Sequence, residues 1–186
     1  MARRVCPVWI GYFLVNPLRK LYQHPEKILG HYIREQMVVL DIGCAMGFFS
    51  LPLSEMVGPQ GKVIAVDVQE GMINALKKRA VKAGLLDRLE IRLCDQSSLG
   101  LNDFMGKIDF ALASAVVHEV PDASRFFSEL YELLKPGGKC MVLEPKGHVS
   151  EKDFSLTASV AKKSGFSVVE NPQVARSRTA LFGKIM

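Results

Sequence analysis

Cys6, Cys44, Cys94 and Cys140 form no C-x-x-C pair, and this scattered placement predicts reduced, intracellular thiols. Nor do His24, His31, His118 and His148 show ligand spacing among themselves or with the cysteines, so no metal site is expected. Long apolar runs are also missing. The opening MARRVCPVWIGYFLV falls short of the ~20 apolar residues that a membrane span requires. It resembles a signal peptide only superficially, because it contains Pro7, lacks a small-residue cleavage site and leads into NPLRK. A cytoplasmic protein is expected. Repeats, low-complexity tracts and an interdomain linker are absent as well, and 186 residues with 48% hydrophobic and 23% charged composition predict a globular domain with a real core.

The body of the chain also lacks a basic stripe. Of the net charge of +5, residues 1–36 hold +4, from Arg3, Arg4, Arg19, Lys20, Lys27 and Arg34 against Glu26 and Glu35. The near-neutral remainder argues against a nucleic-acid-binding fold and leaves the N-terminal segment as the part able to meet an anionic partner, such as a membrane surface. Aromatics cluster there too, with Trp9, Tyr12, Phe13, Tyr22 and Tyr32. A helix starting at Pro25 would place Ile28, Leu29, Tyr32 and Ile33 on one face. Residues 1–36 therefore read as a cap that buries its own apolar face, or as a lid over an acceptor pocket.

What the chain does have is concentrated in residues 37–50, MVVLDIGCAMGFFS. Val38, Val39 and Leu40 make the continuous apolar run of a strand buried on both faces, ending at Asp41. Gly43 and Gly47 follow, where the chain turns, approaches a ligand with its backbone and enters a helix. A dinucleotide fingerprint does not fit, because positions 45 and 48 hold Ala45 and Phe48. A second buried strand, KVIAVD, ends at Asp67. Two readings of Asp67 stand together: a capping pair with Glu70 for a helix over 69–83 stopped by Gly84, and a carboxylate gripping a ribose diol.

The same alternation continues. LEIRL is a third strand followed by Asp95 and Gln96, and a fourth covers about 108–113, with Ser114 just past it. A loop then carries His118, and a helix after Pro121-Asp122 is lined by Phe126, Leu130, Leu133 and Leu134 and ended by Lys135-Pro136-Gly137-Gly138. KCMVLEP is a fifth strand, 150–164 a helix begun by a Ser-x-x-Asp cap, and FSVVE and RSRTALFGKI two closing strands. The expected fold is α/β, a doubly wound, mostly parallel sheet that leaves room for an antiparallel last strand.

DIGCAMG resembles the acidic-x-G-x-G-x-G motif of class I S-adenosylmethionine-dependent methyltransferases, with Ala45 in place of the middle glycine. Together with VIAVD, the LCD turn, HEVPD and LLKPGGKCMVLEP, the likeness spans about 37–185 and is nearest to the small-molecule branch of ubiquinone and menaquinone biosynthesis. That resemblance implies the seven-stranded, Rossmann-like methyltransferase sheet, S-adenosylmethionine as cofactor and a small-molecule acceptor, apolar in keeping with the aromatic N-terminus. It implies a cofactor shell of Asp41, Gly43, Cys44, Ala45, Gly47, Phe48, Asp67, Val68, Met72, Asp95, Gln96 and Ser114. Asp95 would accept from the adenine amino group, or it is a solvated turn aspartate. His118 is the one well-placed base, or else a loop histidine that positions backbone or cofactor. The motifs of base and glutamine amino-methylation and of base C5-methylation do not occur, since Ser114-Ala115-Val116-Val117 follows the fourth strand. Two alternatives stay open: a non-enzymatic S-adenosylmethionine-binding protein, and a nicotinamide-dependent reductase using Tyr131-x-x-x-Lys135.

Overall fold

The computed structural model describes residues 23–185, so the expectations for residues 1–22, including Cys6 and most of the aromatic cluster, lie outside the described residues. Seven strands are ordered β3-β2-β1-β4-β5-β7-β6, the mostly parallel α/β sheet that the alternating pattern predicts. The described residues fall into two compact units, 23–94 and 95–185.

In the first unit, α1 (Pro25–Leu29) precedes β1 (Val38–Ile42), α2 (Ser50–Met56), β2 (Lys62–Asp67), α3 (Glu70–Ala83) and β3 (Leu89–Leu93). β1 and β3 both pair in parallel with β2. The residues Val39–Ile42 and Val63–Asp67 are buried on both faces, as a central parallel strand requires. α1 begins at proline as expected but lasts only five residues, because Gly30 interrupts it. Leu29 and Ile33 are nevertheless buried, since Leu29 O accepts from both Tyr32 N and Ile33 N and the turn carries on the helical face. Gly84 ends α3 in the left-handed conformation, φ 67°.

The second unit holds β4 (Ile108–Ser114), α4 (Ala123–Leu133), β5 (Leu134–Pro145), α5 (Glu151–Lys163), β6 (Phe166–Glu170) and β7 (Ser177–Lys184). β4 and β5 are parallel, and β7 is antiparallel to both β5 and β6, so the last strand is the reversed one. Two boundaries differ from the sequence expectation. Ser114 is the last residue of β4 rather than just past it. The Lys135-Pro136-Gly137-Gly138 segment does end α4, but it already belongs to β5, with Leu134 opposite Ile108 and a bulge before Phe110 meets Lys139. Proline forbids further helix, and the bulge absorbs the extra residues. Phe127, Phe166 and Phe182 pack edge to face with centroids 6.0–6.1 Å apart.

The Ser150 cap is as predicted, and Asp122 caps α4 as well. Asp122 Oδ1 accepts from Arg125 N at 3.0 Å, and Ser150 Oγ accepts from Asp153 N at 3.1 Å. Ser150→Ala is expected to cost about 1 kcal/mol of stability, the usual worth of such a cap, and a urea denaturation midpoint measures it. An unchanged midpoint would mean that α5 starts without help from this side chain.

Candidate functional site

In the first unit the glycine turn is tied to the end of β2. Gly43 N and Cys44 N both donate to Val66 O, at 2.9 and 3.0 Å, and this folds the turn back over the adjacent strand. Ala45 N then donates to Asp67 Oδ2 at 2.9 Å, while Gln69 N donates to Asp67 Oδ1 at the same distance. Asp67 is therefore not one half of a capping pair with Glu70: Gln69 is the N-cap of α3, without a side-chain cap bond. Asp67 lies within β2, too early to cap the helix, so its carboxylate aims both the turn and the helix entrance instead. Burial raises its pKa above the ordinary carboxylate value, and the N–H groups of Gln69, Ala45 and Val68 pull it partly back.

Ala45 has φ 46°, a left-handed conformation that costs a non-glycine residue about 1–2 kcal/mol. The bond from its N–H to Asp67 helps hold it there. Arg79, on α3, donates from Nη1 to Met46 O in the same turn, and burial lowers its pKa. The sequence reading missed Arg79, although it stands one helical turn after the buried Leu76. Asp41 is buried at the end of β1, where Ser50 Oγ donates to its Oδ2 at 2.6 Å; it anchors the start of α2. That helix begins three residues after Gly47 and has only seven residues, so the turn itself, not a long helix end, presents the backbone.

The remaining first-unit candidates are placed as follows. Cys44 and Phe48 are buried, Cys44 with its thiol pKa raised well above the usual value by burial and then by Asp41, Asp67 and Cys94. Phe48 stacks edge to face on Phe49 at 5.0 Å. Val68 is half-buried beyond the end of β2, and Met72 is buried in the first turn of α3, 1% exposed. Cys44, Cys94 and Cys140 are free thiols.

In the second unit Asp95 and Gln96 are exposed. Asp95 Oδ1 accepts from Ser97 N at 2.8 Å and from Ser97 Oγ at 2.6 Å, bonds that lower its pKa, as in an aspartate turn. Glu129 Oε1, from α4, accepts from Ser98 Oγ at 3.0 Å and Leu99 N at 2.8 Å and holds this loop. Ser114 closes β4, half-buried, and the next residue, Ala115, has φ 58°. That turn leads into the short 3-10 segment Val117–Glu119.

There His118 Nδ1 lies 2.5 Å from Glu144 Oε2, and the side chain of Glu144 is fully buried. Glu144 Oε1 accepts from Val117 N at 2.8 Å and from His118 N at 3.3 Å. His148 stands edge to face against the His118 ring, centroids 5.9 Å apart. Glu144 went unnoticed in the sequence, where the signal was one carboxylate within the apolar run CMVLEP of β5. A buried charge in such a strand needs a partner, and His118 is that partner.

Tyr131 and Lys135 have structural duties. The Tyr131 ring packs on Phe166 at 5.2 Å and lies under Lys184 Nζ at 4.6 Å. Lys135 Nζ pairs with Asp109 Oδ1 at 2.6 Å. Lys184 Nζ also ties down the end of α4 by donating to the carbonyls of Tyr131 and Leu134, at 2.7 and 2.8 Å. The reductase constellation is not assembled around these two residues.

Comparison with known proteins agrees with the geometry. Residues 33–177 match the methyltransferase domain family. The demethylmenaquinone methyltransferase of Symbiobacterium thermophilum is 31% identical over 121 residues, 65% of this chain and 47% of that protein. The ubiquinone/menaquinone biosynthesis C-methyltransferase of Hydrogenovibrio crunogenus is 29% identical over 112 residues, 60% of this chain and 43% of that one. The chain thus spans about half the length of the curated relatives it matches. A crystal structure of a SAM-dependent methyltransferase from Aquifex aeolicus superposes with a TM-score of 0.87 at 26% identity, covering 98% of this chain and all of that one. The chain belongs to the methyltransferase domain family, in the class I S-adenosylmethionine-dependent group that its glycine turn and motif set resemble.

Proposed function

We propose that this chain transfers a methyl group from S-adenosylmethionine to a small-molecule acceptor. The observation that carries the reading is Asp67. Ala45 N donates to its Oδ2 and Gln69 N to its Oδ1, which fixes the carboxylate at the end of β2 beside the glycine turn, where a charged acceptor suits ribose hydroxyls. When bound, S-adenosylmethionine supplies an electrophilic methyl group on a sulfonium, so the protein's task is alignment and exclusion of water.

Asp67 holds the ribose, and the turn over 43–47, with Phe48, Val68 and Met72 behind it, forms the rest of that shell. In this reading Asp95 and Gln96 serve the adenine and Ser114 the methionine end. His118 takes a proton from the acceptor where the acceptor must lose one. Residues 1–36 serve as a cap of the domain or as a lid over the acceptor, and their basic, aromatic composition suits an apolar acceptor and weak contact with an anionic membrane surface. The names of the relatives, which concern menaquinone and ubiquinone biosynthesis, support a small acceptor. No helix among the described residues is long and apolar enough to cross a membrane. With free thiols at Cys44, Cys94 and Cys140, we place the protein in the cytoplasm.

Thermal unfolding with S-adenosylmethionine, S-adenosylhomocysteine or NADPH tests the cofactor. At a hundredfold excess over the dissociation constant, the two adenosyl compounds should each stabilise by about 2.7 kcal/mol and NADPH should not. A shift with NADPH alone overturns the reading. Labelled cofactor incubated with a small-molecule extract should then yield a labelled product, whereas tight binding without transfer would make the chain a cofactor-binding protein.

A further inference from the structure

We propose that Glu144 is the positioning residue of a carboxylate–imidazole pair, fixing neutral His118 as its Nδ1–H tautomer and so making Nε2 the proton-accepting nitrogen. The use of Nε2 in catalysis rests on the methyl-transfer reading; the tautomer does not.

The geometry leaves little choice. Glu144 Oε1 is occupied by the N–H groups of Val117 and His118, which locks the carboxylate in rotation and places Oε2 against Nδ1 at 2.5 Å. An ionised carboxylate only accepts, so the proton between the two belongs on Nδ1. The strained turn at Ala115, whose N–H donates to Leu143 O at 2.7 Å, delivers the 3-10 segment onto the end of β5 and makes this register possible. Three groups among the described residues face the ring: Glu144 from β5, Glu119 with Oε1 3.9 Å from Nε2, and His148 from the turn after β5. Of these, Glu144 alone lies within hydrogen-bond distance of a ring nitrogen. An imidazolium formed by proton uptake at Nε2 would have the buried Glu144 carboxylate against its Nδ1–H.

The test is nitrogen NMR of the full chain labelled with 15N-histidine, His118→Gln identifying the resonances. Neutral wild-type His118 should carry its proton on Nδ1. In Glu144→Gln the amide oxygen must stay on the Val117 and His118 N–H groups, so the amide NH2 takes the place of Oε2 and donates to Nδ1. The tautomer should then invert to Nε2–H. A wild-type Nε2–H tautomer, or an unchanged tautomer in Glu144→Gln, overturns the proposal. Should the variant not fold, the wild-type tautomer decides alone. Calorimetry of S-adenosylmethionine with the wild type keeps the two readings apart, because absence of binding would remove the methyl-transfer reading and leave the tautomer result standing.

Discussion

Gly47→Ala should destabilise the fold by about 2–5 kcal/mol. Two separate costs add. Gly47 has φ 84°, where a β-carbon costs about 1–2 kcal/mol. The same β-carbon would also stand 2.3 Å from Leu76 Cδ1, and Leu76 is fully buried on α3, so room comes only by repacking the core, typically 1–3 kcal/mol. Against a usual total of about 5–15 kcal/mol the variant should still fold, but with a melting point lowered by roughly 5–15 °C. Gly84→Ala is the internal control. Gly84 has a similar φ, 67°, yet an added β-carbon there meets nothing within 4 Å, so it should show the strain cost alone. Urea denaturation of both variants measures the difference. Equal losses would mean that Leu76 yields freely, and the close packing of the turn on α3 would not be what fixes its shape.

That contrast explains what could be read from the sequence. Periodicity is local, so apolar runs such as KVIAVD, the cap at Ser150 and the mostly parallel α/β class of the sheet are legible in the sequence. Gly43 and Gly47 announced a turn because glycine marks unusual backbone. Ala45 and Ala115, which adopt φ of 46° and 58°, announced nothing, because alanine gives no such sign. The sequence pattern runs past the end of α1 because its apolar face continues through Ile33 by turn bonds, beyond the last helical residue. At the site, residue types were legible and partnerships were not. His118 stood out as a histidine after a strand, while its partner Glu144 lies 26 residues away in sequence and meets it only once β4 and β5 pair. The same holds for Asp67 and Ala45, 22 residues apart. Spacing alone suggests capping for Asp67; its burial in β2, which sends the carboxylate to the turn, is a tertiary fact.

Asp67→Ala should weaken S-adenosylmethionine binding about 10–100-fold and lower stability by about 2–4 kcal/mol. The stability loss follows from leaving the N–H groups of Ala45 and Gln69 without their acceptor, each worth about 1–3 kcal/mol when buried, offset in part by relief of a desolvated carboxylate. The affinity loss follows from deleting the charged acceptor of the ribose hydroxyls and from releasing Ala45, which is strained and held by that bond. The pH dependence separates these effects. Because burial raises the folded-state pKa of Asp67, the folded chain takes up this proton before the unfolded chain does as pH falls. The ionised carboxylate therefore costs stability at neutral pH, and that cost fades as pH drops from the raised value to the ordinary carboxylate value. Wild type should thus gain stability relative to Asp67→Ala over that window. Cofactor affinity should move the other way, since a protonated carboxyl is a poorer acceptor for two hydroxyls. Calorimetric titrations of both proteins from pH 7 downward should show wild-type affinity falling toward that of the variant while the stability gap widens. Wild-type affinity that stays flat across the window, or a variant that binds as tightly as wild type, would sink the ribose assignment and leave Asp67 as the brace of the glycine turn alone.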